Sequence, residues 1–270
     1  MTPSSRDIEE NHITRAFLRQ LEWHLGQDRA LFLRALDSAG IEADFPSQKL
    51  LSLRQYDRAI ETASRGDPSI NLRIHHGLSI HDLGLIGYAI AGSDNLFQAL
   101  TTMNQYHDLT SDRYQQYLEQ DGSECRLFLN PLPGWREQPA LVEDCFGGLW
   151  RVLEELVGEQ VELARIRMSF AYAEPIYGQV YRDTFACSLQ FEDERSELRF
   201  PAEWLDLPLF GGLRSISHNS QLLCEAMLGP PSSDSSTAQR VKRLLLERPS
   251  RRLLSLDEAA RALNFSLSLI

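Results

Sequence analysis

The chain has 270 residues, 43% hydrophobic and 24% charged, which suits an ordinary globular protein of one large domain plus a smaller unit. Its four cysteines stand far apart with no C-x-x-C pair, which argues against a disulfide framework and for buried thiols in a reducing cytoplasm. The formal net charge of −11 conceals an asymmetry: residues 231–270 hold seven basic and four acidic side chains, the other 230 residues 20 and 34, so only the tail suits a phosphate backbone.

The N-terminus, MTPSSRDIEENHIT, lacks the basic and apolar regions of a secretory signal, and the longest apolar run, Leu83–Ala91, is too short to span a bilayer. A cytoplasmic location is expected. From Thr14 to Ala39 the apolar spacing predicts a helix ending at Gly40, and a second is expected over Ser47–Ser64, before Gly66-Asp67-Pro68. Leu83–Ala91 and Asn95–Tyr106 read as a helical pair, the latter with the stripe Leu96, Ala99, Leu100, Met103. The period then changes. Tyr114–Glu119 and Cys125–Asn130 flank Asp121-Gly122 and predict a hairpin. Leu141–Val157 is helical, with Leu141, Cys145, Leu149, Val152 and Leu156 on one face. Ala164, Ile166, Met168 and Phe170 alternate with Arg165, Arg167 and Ser169, which predicts a strand with one wet face, and Leu189–Phe191 and Leu198–Phe200 add two more strands. Helices and strands mix without regular βαβ alternation, so the expectation is an α+β fold: a helix-rich domain with a small, largely antiparallel sheet of about five strands.

The chemistry-bearing residues form no enzyme signature. His75, His76 and His81 match no metal-ligand spacing and are expected at the surface or in caps. His107 and Asp108 lack a nucleophile, and Ser79 and Ser93 lack a G-x-S-x-G elbow. Glu154-Glu155 and Glu192-Asp193-Glu194 read as solvated charge runs, and Gly84 and Gly87 as a close helix contact. No catalytic residue, metal or cofactor is expected. Aromatic residues crowd the central third, as core or as the wall of a small-molecule pocket at the junction of the Gly84–Ala91 helix, the hairpin and the Leu141–Val157 helix. The candidate pocket residues are Tyr88, Tyr106, Tyr114, Phe128 and Trp150, with Arg165 and Arg167 either receiving a ligand carboxylate or facing solvent.

A Pro-, Gly- and Ser-rich stretch, residues 229–237, reads as a flexible linker between the 1–228 domain and a 238–270 tail. Gln239–Glu247 has the pattern of a basic amphipathic helix, ended by Pro249. A second helix opens with the capping box Ser255/Glu258, continues through Leu256, Ala259, Ala260 and Leu263, and leads to a turn ending near Ser266. That is the first half of a helix-turn-helix, and the four residues Leu267–Ile270 are too few for the groove-reading helix.

The tail resembles the start of the DNA-binding domain of AraC/XylS-family transcription regulators. Asp82–Ile90, Ser93–Leu100, Gly66-Asp67-Pro68 and Phe191–Leu209 resemble the arabinose-binding-type N-terminal domain of one AraC subgroup, typified by ornithine-utilisation regulators. Ser196 stands where that pattern usually has Asn, a departure expected to weaken a turn. The resemblance implies a domain that senses a small-molecule effector and forms dimers, joined to a helix-turn-helix domain that is cut short. It implies promoter DNA as a partner of intact relatives, with Ser255, Glu258, Ala259, Leu263 and Ser266 belonging to the partial DNA-binding unit. A second reading is a standalone sensory protein that forms mixed dimers with full-length regulators and does not itself bind DNA.

Overall fold

The computed structural model describes residues 11–13, 16–42, 51–109, 111, 113–132, 136, 138–209, 214–228 and 256–263. The architecture is α+β, with two apolar cores. The first core is made by N-terminal helices. Helices α1 (Ala16–His24) and α2 (Arg29–Ser38) replace the single helix expected over Thr14–Ala39. Asp28 explains the break: its carboxylate accepts from the Leu31 amide at 2.8 Å and caps a new helix. Two short strands, β1 (Asn11–Ile13) and β2 (Leu51–Ser52), pair antiparallel. Helix α3 (Leu53–Ser64) opens with a reciprocal capping box between Ser52 and Gln55. Helix α4 (Ile70–His76) was not anticipated, because seven residues are too few to display a period. Phe17, Leu21, Leu36, Ile60, Ile70 and Ile74 bury their side chains between these helices.

The second core is larger. Helices α5 (Leu85–Ala91) and α6 (Leu96–Gln105) precede the hairpin β3 (Tyr114–Asp121) and β4 (Glu124–Pro131), which turns at Gly122-Ser123. The long helix α7 (Pro139–Val157) starts with proline at its first position, where no amide donor is needed. Strand β5 (Arg167–Ser169), helix α8 (Gly178–Thr184), β6 (Ser188–Gln190), β7 (Glu197–Pro201) and helix α9 (Arg214–Leu228) follow. The sheet order is β3-β4-β7-β5-β6, antiparallel throughout except for the β5–β6 pair. One face carries Cys125, Leu127, Leu129, Met168, Leu198 and Phe200 into the core. The other is charged and half-wet, with Arg126 bonded to Glu119 at 2.8 Å and Arg199 bonded to Glu197.

Two expectations change in detail. Ala164 and Arg165 lie in a 3₁₀ turn, Leu163–Arg165, so the strand is shorter than its alternation suggested. Gly84 is not inside a helix but joins the 3₁₀ turn Ile80–Leu83 to α5 with φ +66°, a conformation costly for any residue with a Cβ. Ser196 is buried, and its hydroxyl accepts from the Ala171 amide at 3.0 Å. Helices α8 and α9 were also unanticipated. Helix α9 docks on α5, where the Ser217 hydroxyl donates to the Ala89 carbonyl at 2.7 Å. Helix α10 (Leu256–Leu263) stands where the second tail helix was expected, carrying Glu258, Ala259 and Leu263; its Ala260 is buried. Ser255 and Ser266, the 229–237 stretch and the Gln239–Glu247 segment lie outside the described residues. The four cysteines are free thiols.

Gly87 is the point of closest helix contact, since a Cβ there would overlap the Ile80 carbonyl oxygen. Backbone cannot yield as a flexible side chain does, so Gly87→Ala is expected to destabilise the protein by about 1–3 kcal/mol in denaturant unfolding. Unfolding at the wild-type midpoint would show that α5 shifts freely against the turn.

Candidate ligand-binding site

Helix α7 places two adjacent acids, Glu143 and Asp144, in the interior, where charge requires compensation. Asp144 sits where the two cores meet. Its carboxylate accepts from Arg113 Nη2 at 2.7 Å, from His75 Nε2 at 3.2 Å and from the Tyr56 hydroxyl. Arg113 also pairs with Asp57 at 3.2 Å, and Asn71 Nδ2 donates to the Ala140 carbonyl at 2.9 Å. One side chain thus binds α3, α4 and the approach to β3 to the central helix. Burial opposes the Asp144 charge, but Arg113 and the His75 and Tyr56 hydrogen bonds outweigh it and hold the carboxyl well below the usual range.

Glu143 points elsewhere and behaves oppositely. It accepts from Tyr177 at 2.9 Å and Tyr181 at 2.6 Å. Burial dominates, pushing the carboxyl from 4.5 up to about 7, against the lowering effect of those two hydroxyls. Arg151, two turns along α7, pairs with Glu155 at 2.7 Å and donates to the Leu78 carbonyl at 2.6 Å; Glu155 accepts from the Ile80 amide at 2.9 Å. Glu154-Glu155 is therefore not merely a solvated run: it fastens α7 to the turn before α5.

Between the two cores lies a cavity of about 120 Å³. Phe17, Leu78, Leu83, Ile86, Met103 and Leu149 supply its apolar wall. Tyr56, His75, Asp82, His107, Tyr114, Gln116, Asp144 and Cys145 supply polar atoms, and Gly148 leaves room on the α7 side. Its place is the junction of α5, the hairpin and α7. Of the residues the sequence singled out, Tyr114 lines it, its ring 4.6 Å from that of His107. The others lie elsewhere. Tyr106 turns its hydroxyl to Glu225 on α9, at 3.3 Å, and Trp150 packs edge-on against Phe185. Tyr88 is partly exposed beside His81. Phe128 lies on the outer sheet face, stacked on Tyr117 and beneath Arg195. Arg165 and Arg167 are exposed and paired with Glu203 and Glu124. His75, expected at the surface, is buried, whereas His76 and His81 are exposed.

Sequence reasoning missed Asp144, His75, Arg113 and Gln116. A signal existed for the first: Gly147-Gly148 follow Glu143-Asp144 one turn later, which marks a helix face against which another backbone packs. A Cβ at Gly147 would lie 2.7 Å from the His75 Cβ, but at Gly148 the nearest atom is His75 Nδ1 at 4.0 Å. Gly148→Ala should therefore raise stability by about 0.5–1 kcal/mol through helix propensity, whereas Gly147→Ala lowers it. Equal effects in thermal unfolding would refute this contrast. For Glu143, the folded protein holds its proton to about pH 7 while the unfolded chain releases it near 4.5, so stability falls as pH rises through that window. Glu143→Gln removes this loss: relative to wild type it should gain stability from pH 5 to pH 8, by roughly 3 kcal/mol at most. A pH-independent difference in urea melts would rule the linkage out.

Residues 30–209 match the family model described as the arabinose-binding domain of AraC transcription regulators, N-terminal. The chain is 28% identical over 202 residues to an ornithine utilization regulator of Pseudomonas aeruginosa, a match covering 74% of this chain and 59% of that protein. It spans little more than half the length of that curated relative. The fold is similar to the crystal structure of the transcriptional regulator CdpR from Pseudomonas aeruginosa, with a TM-score of 0.53 and 16% identity, covering 90% of this chain and 76% of that one. Among the described residues no helix is long and apolar enough to cross a membrane. With two thirds of its length inside the matched span, the chain belongs to the arabinose-binding N-terminal domain family of AraC transcription regulators.

Proposed function

We propose that this chain is the small-molecule-sensing part of an AraC-type transcription regulator, and that the cavity between its cores receives the effector. The observation that carries the reading is the cavity itself: it is lined by both cores and lies almost wholly within the span matched to the family. A ligand there touches both halves at once, so its binding energy can favour one arrangement of the cores over another. A mechanical route to the tail follows. Ile86 lines the cavity, and one turn later on the same short helix Ala89 receives the hydrogen bond from Ser217 on α9. Movement of α5 on ligand entry would thus be passed to α9, the last described helix before the 229–237 stretch.

The second reading, a sensory protein that forms mixed dimers with longer regulators, is favoured by Leu222 and Leu223, adjacent on α9 and each about half exposed. Light scattering that gives a monomer at every concentration would remove it.

Gly148→Met is the direct test, because its side chain would fill the cavity without a clash at Cβ. In a thermal-shift screen against small amines, alcohols and carboxylates, wild type is expected to be stabilised by some members and the variant by none, although its own melting temperature is not lowered. Identical hit lists would place the effector elsewhere.

A further inference from the structure

The carboxylates on the cavity wall already have their counter-groups within the protein. Asp144 Oδ1 is engaged by His75 and Tyr56, and its Oδ2 by Arg113. Asp82 Oδ1 pairs with Arg19 at 3.3 Å, and its Oδ2 accepts from the Ser79 amide and hydroxyl, each at 3.0 Å. A proton gained by His75 would face Asp144, so that charge too is matched inside the protein. Among the described residues no lysine or arginine lines the space. A cationic ligand would therefore compete for carboxylates that are occupied, and an anionic one would enter beside two of them. Either would give up its hydration for less than it loses.

The uncharged polar groups of the wall offer both hydrogen-bonding senses. Gln116 lies on the inner face of β3, opposite Leu129; its amide carries donors and an acceptor, and its buried Oε1 meets no donor among the described residues. The imidazoles of His75 and His107 present a donor or an acceptor according to where their protons sit. A hydroxyl both donates and accepts, so it suits such a wall whichever way the rings and the amide are set. An ammonium only donates, and a carboxylate only accepts.

Size sets a further limit. The volume of about 120 Å³ is a little below the roughly 150 Å³ at which an apolar cavity admits benzene, so there is room for about one six-membered ring and its substituent. A pentose is of the right order of size but does not suit the wall. Its hydroxyls point in all directions, and several would lie against Phe17, Leu83, Ile86 and Met103 without partners.

The geometry points to a small uncharged ligand, a single ring or short aliphatic body bearing a hydroxyl, and away from amines, carboxylates and sugars. This rests on the reading of the cavity as the effector site and specifies its chemistry.

Five probes separate the cases: benzene, benzyl alcohol, benzylamine, benzoate and L-arabinose, each titrated calorimetrically into the 270-residue chain at neutral pH. Benzyl alcohol is expected to bind at least as tightly as benzene, benzylamine and benzoate at least roughly tenfold more weakly, and arabinose to give no heat of binding. Gln116→Leu should weaken benzyl alcohol roughly threefold to tenfold while leaving benzene within about twofold. Gln116→Met, closer in shape, serves if leucine disturbs β3. Gly148→Met, which fills the space, should abolish the binding of both. Benzylamine, benzoate or arabinose binding as tightly as benzyl alcohol would overturn the inference and leave the effector site standing. Benzene binding without benzyl alcohol, or benzyl alcohol binding equally to wild type and the Gln116 variants, would overturn it as well, since the wall would then not receive a hydroxyl. Failure of all five would count against the cavity as an effector site, and the inference would fall with it.

Discussion

Asp144 is the constraint around which the other parts are arranged. A carboxylate taken from water into a protein interior loses several kcal/mol of solvation, and only close cations and hydrogen bonds restore it. Here they come from three separate places in the chain, Tyr56, His75 and Arg113, so the charge is tolerable only when α3, α4 and the start of β3 have all assembled on α7. Apolar contact holds each core together but is indifferent to how the cores are turned relative to one another. The Asp144 cluster is directional, and it fixes that relation. Gly147 permits the close approach that it needs, because any larger residue would push His75 away.

The cavity follows from this arrangement. Where helices from one core meet a sheet and helix from another, polar groups needed for the junction prevent complete apolar filling. The remaining space is bounded on one side by Phe17, Tyr56 and Leu78, and on the other by Met103, Tyr114 and Leu149. Glu143 and Asp144 show how little sequence distance means inside a helix. Successive side chains diverge by about 100°, so one acid faces cationic and donor groups and is held ionised, and the other faces two tyrosines in an apolar setting and keeps its proton to about pH 7. The polar knot, the cavity and the α5–α9 contact are contiguous: Asp144 and Ile86 both line the cavity, and Ala89, on the same helix as Ile86, carries the hydrogen bond from α9.

Period and turn chemistry revealed most of the second core. The α6 stripe, the hairpin about Gly122, the long α7 and the strands containing Met168 and Leu198 were all legible, because each buries one face and so repeats at its own period. The short helices α4 and α8 were not, since a stretch of two turns buried on several sides has no period to read. The location of the cavity was legible as the meeting of three elements, but its residues largely were not. Tyr106, Phe128 and Trp150 are aromatic for the sake of other contacts, Arg167 faces out because strand parity turns it from the core, and Arg165 lies in the 3₁₀ turn before that strand, paired with Glu203.

The amino-acid order alone determined the class of fold, the sense of the sheet, the family resemblance and the concentration of positive charge toward the C-terminus, because each is encoded in neighbours along the chain or in recurring local patterns. The partners of Asp144, the burial of His75 and Gln116, and the outward direction of the arginines were decided only by tertiary structure. These depend on groups 31 to 88 residues apart in sequence meeting at one point, and no local pattern records such a meeting.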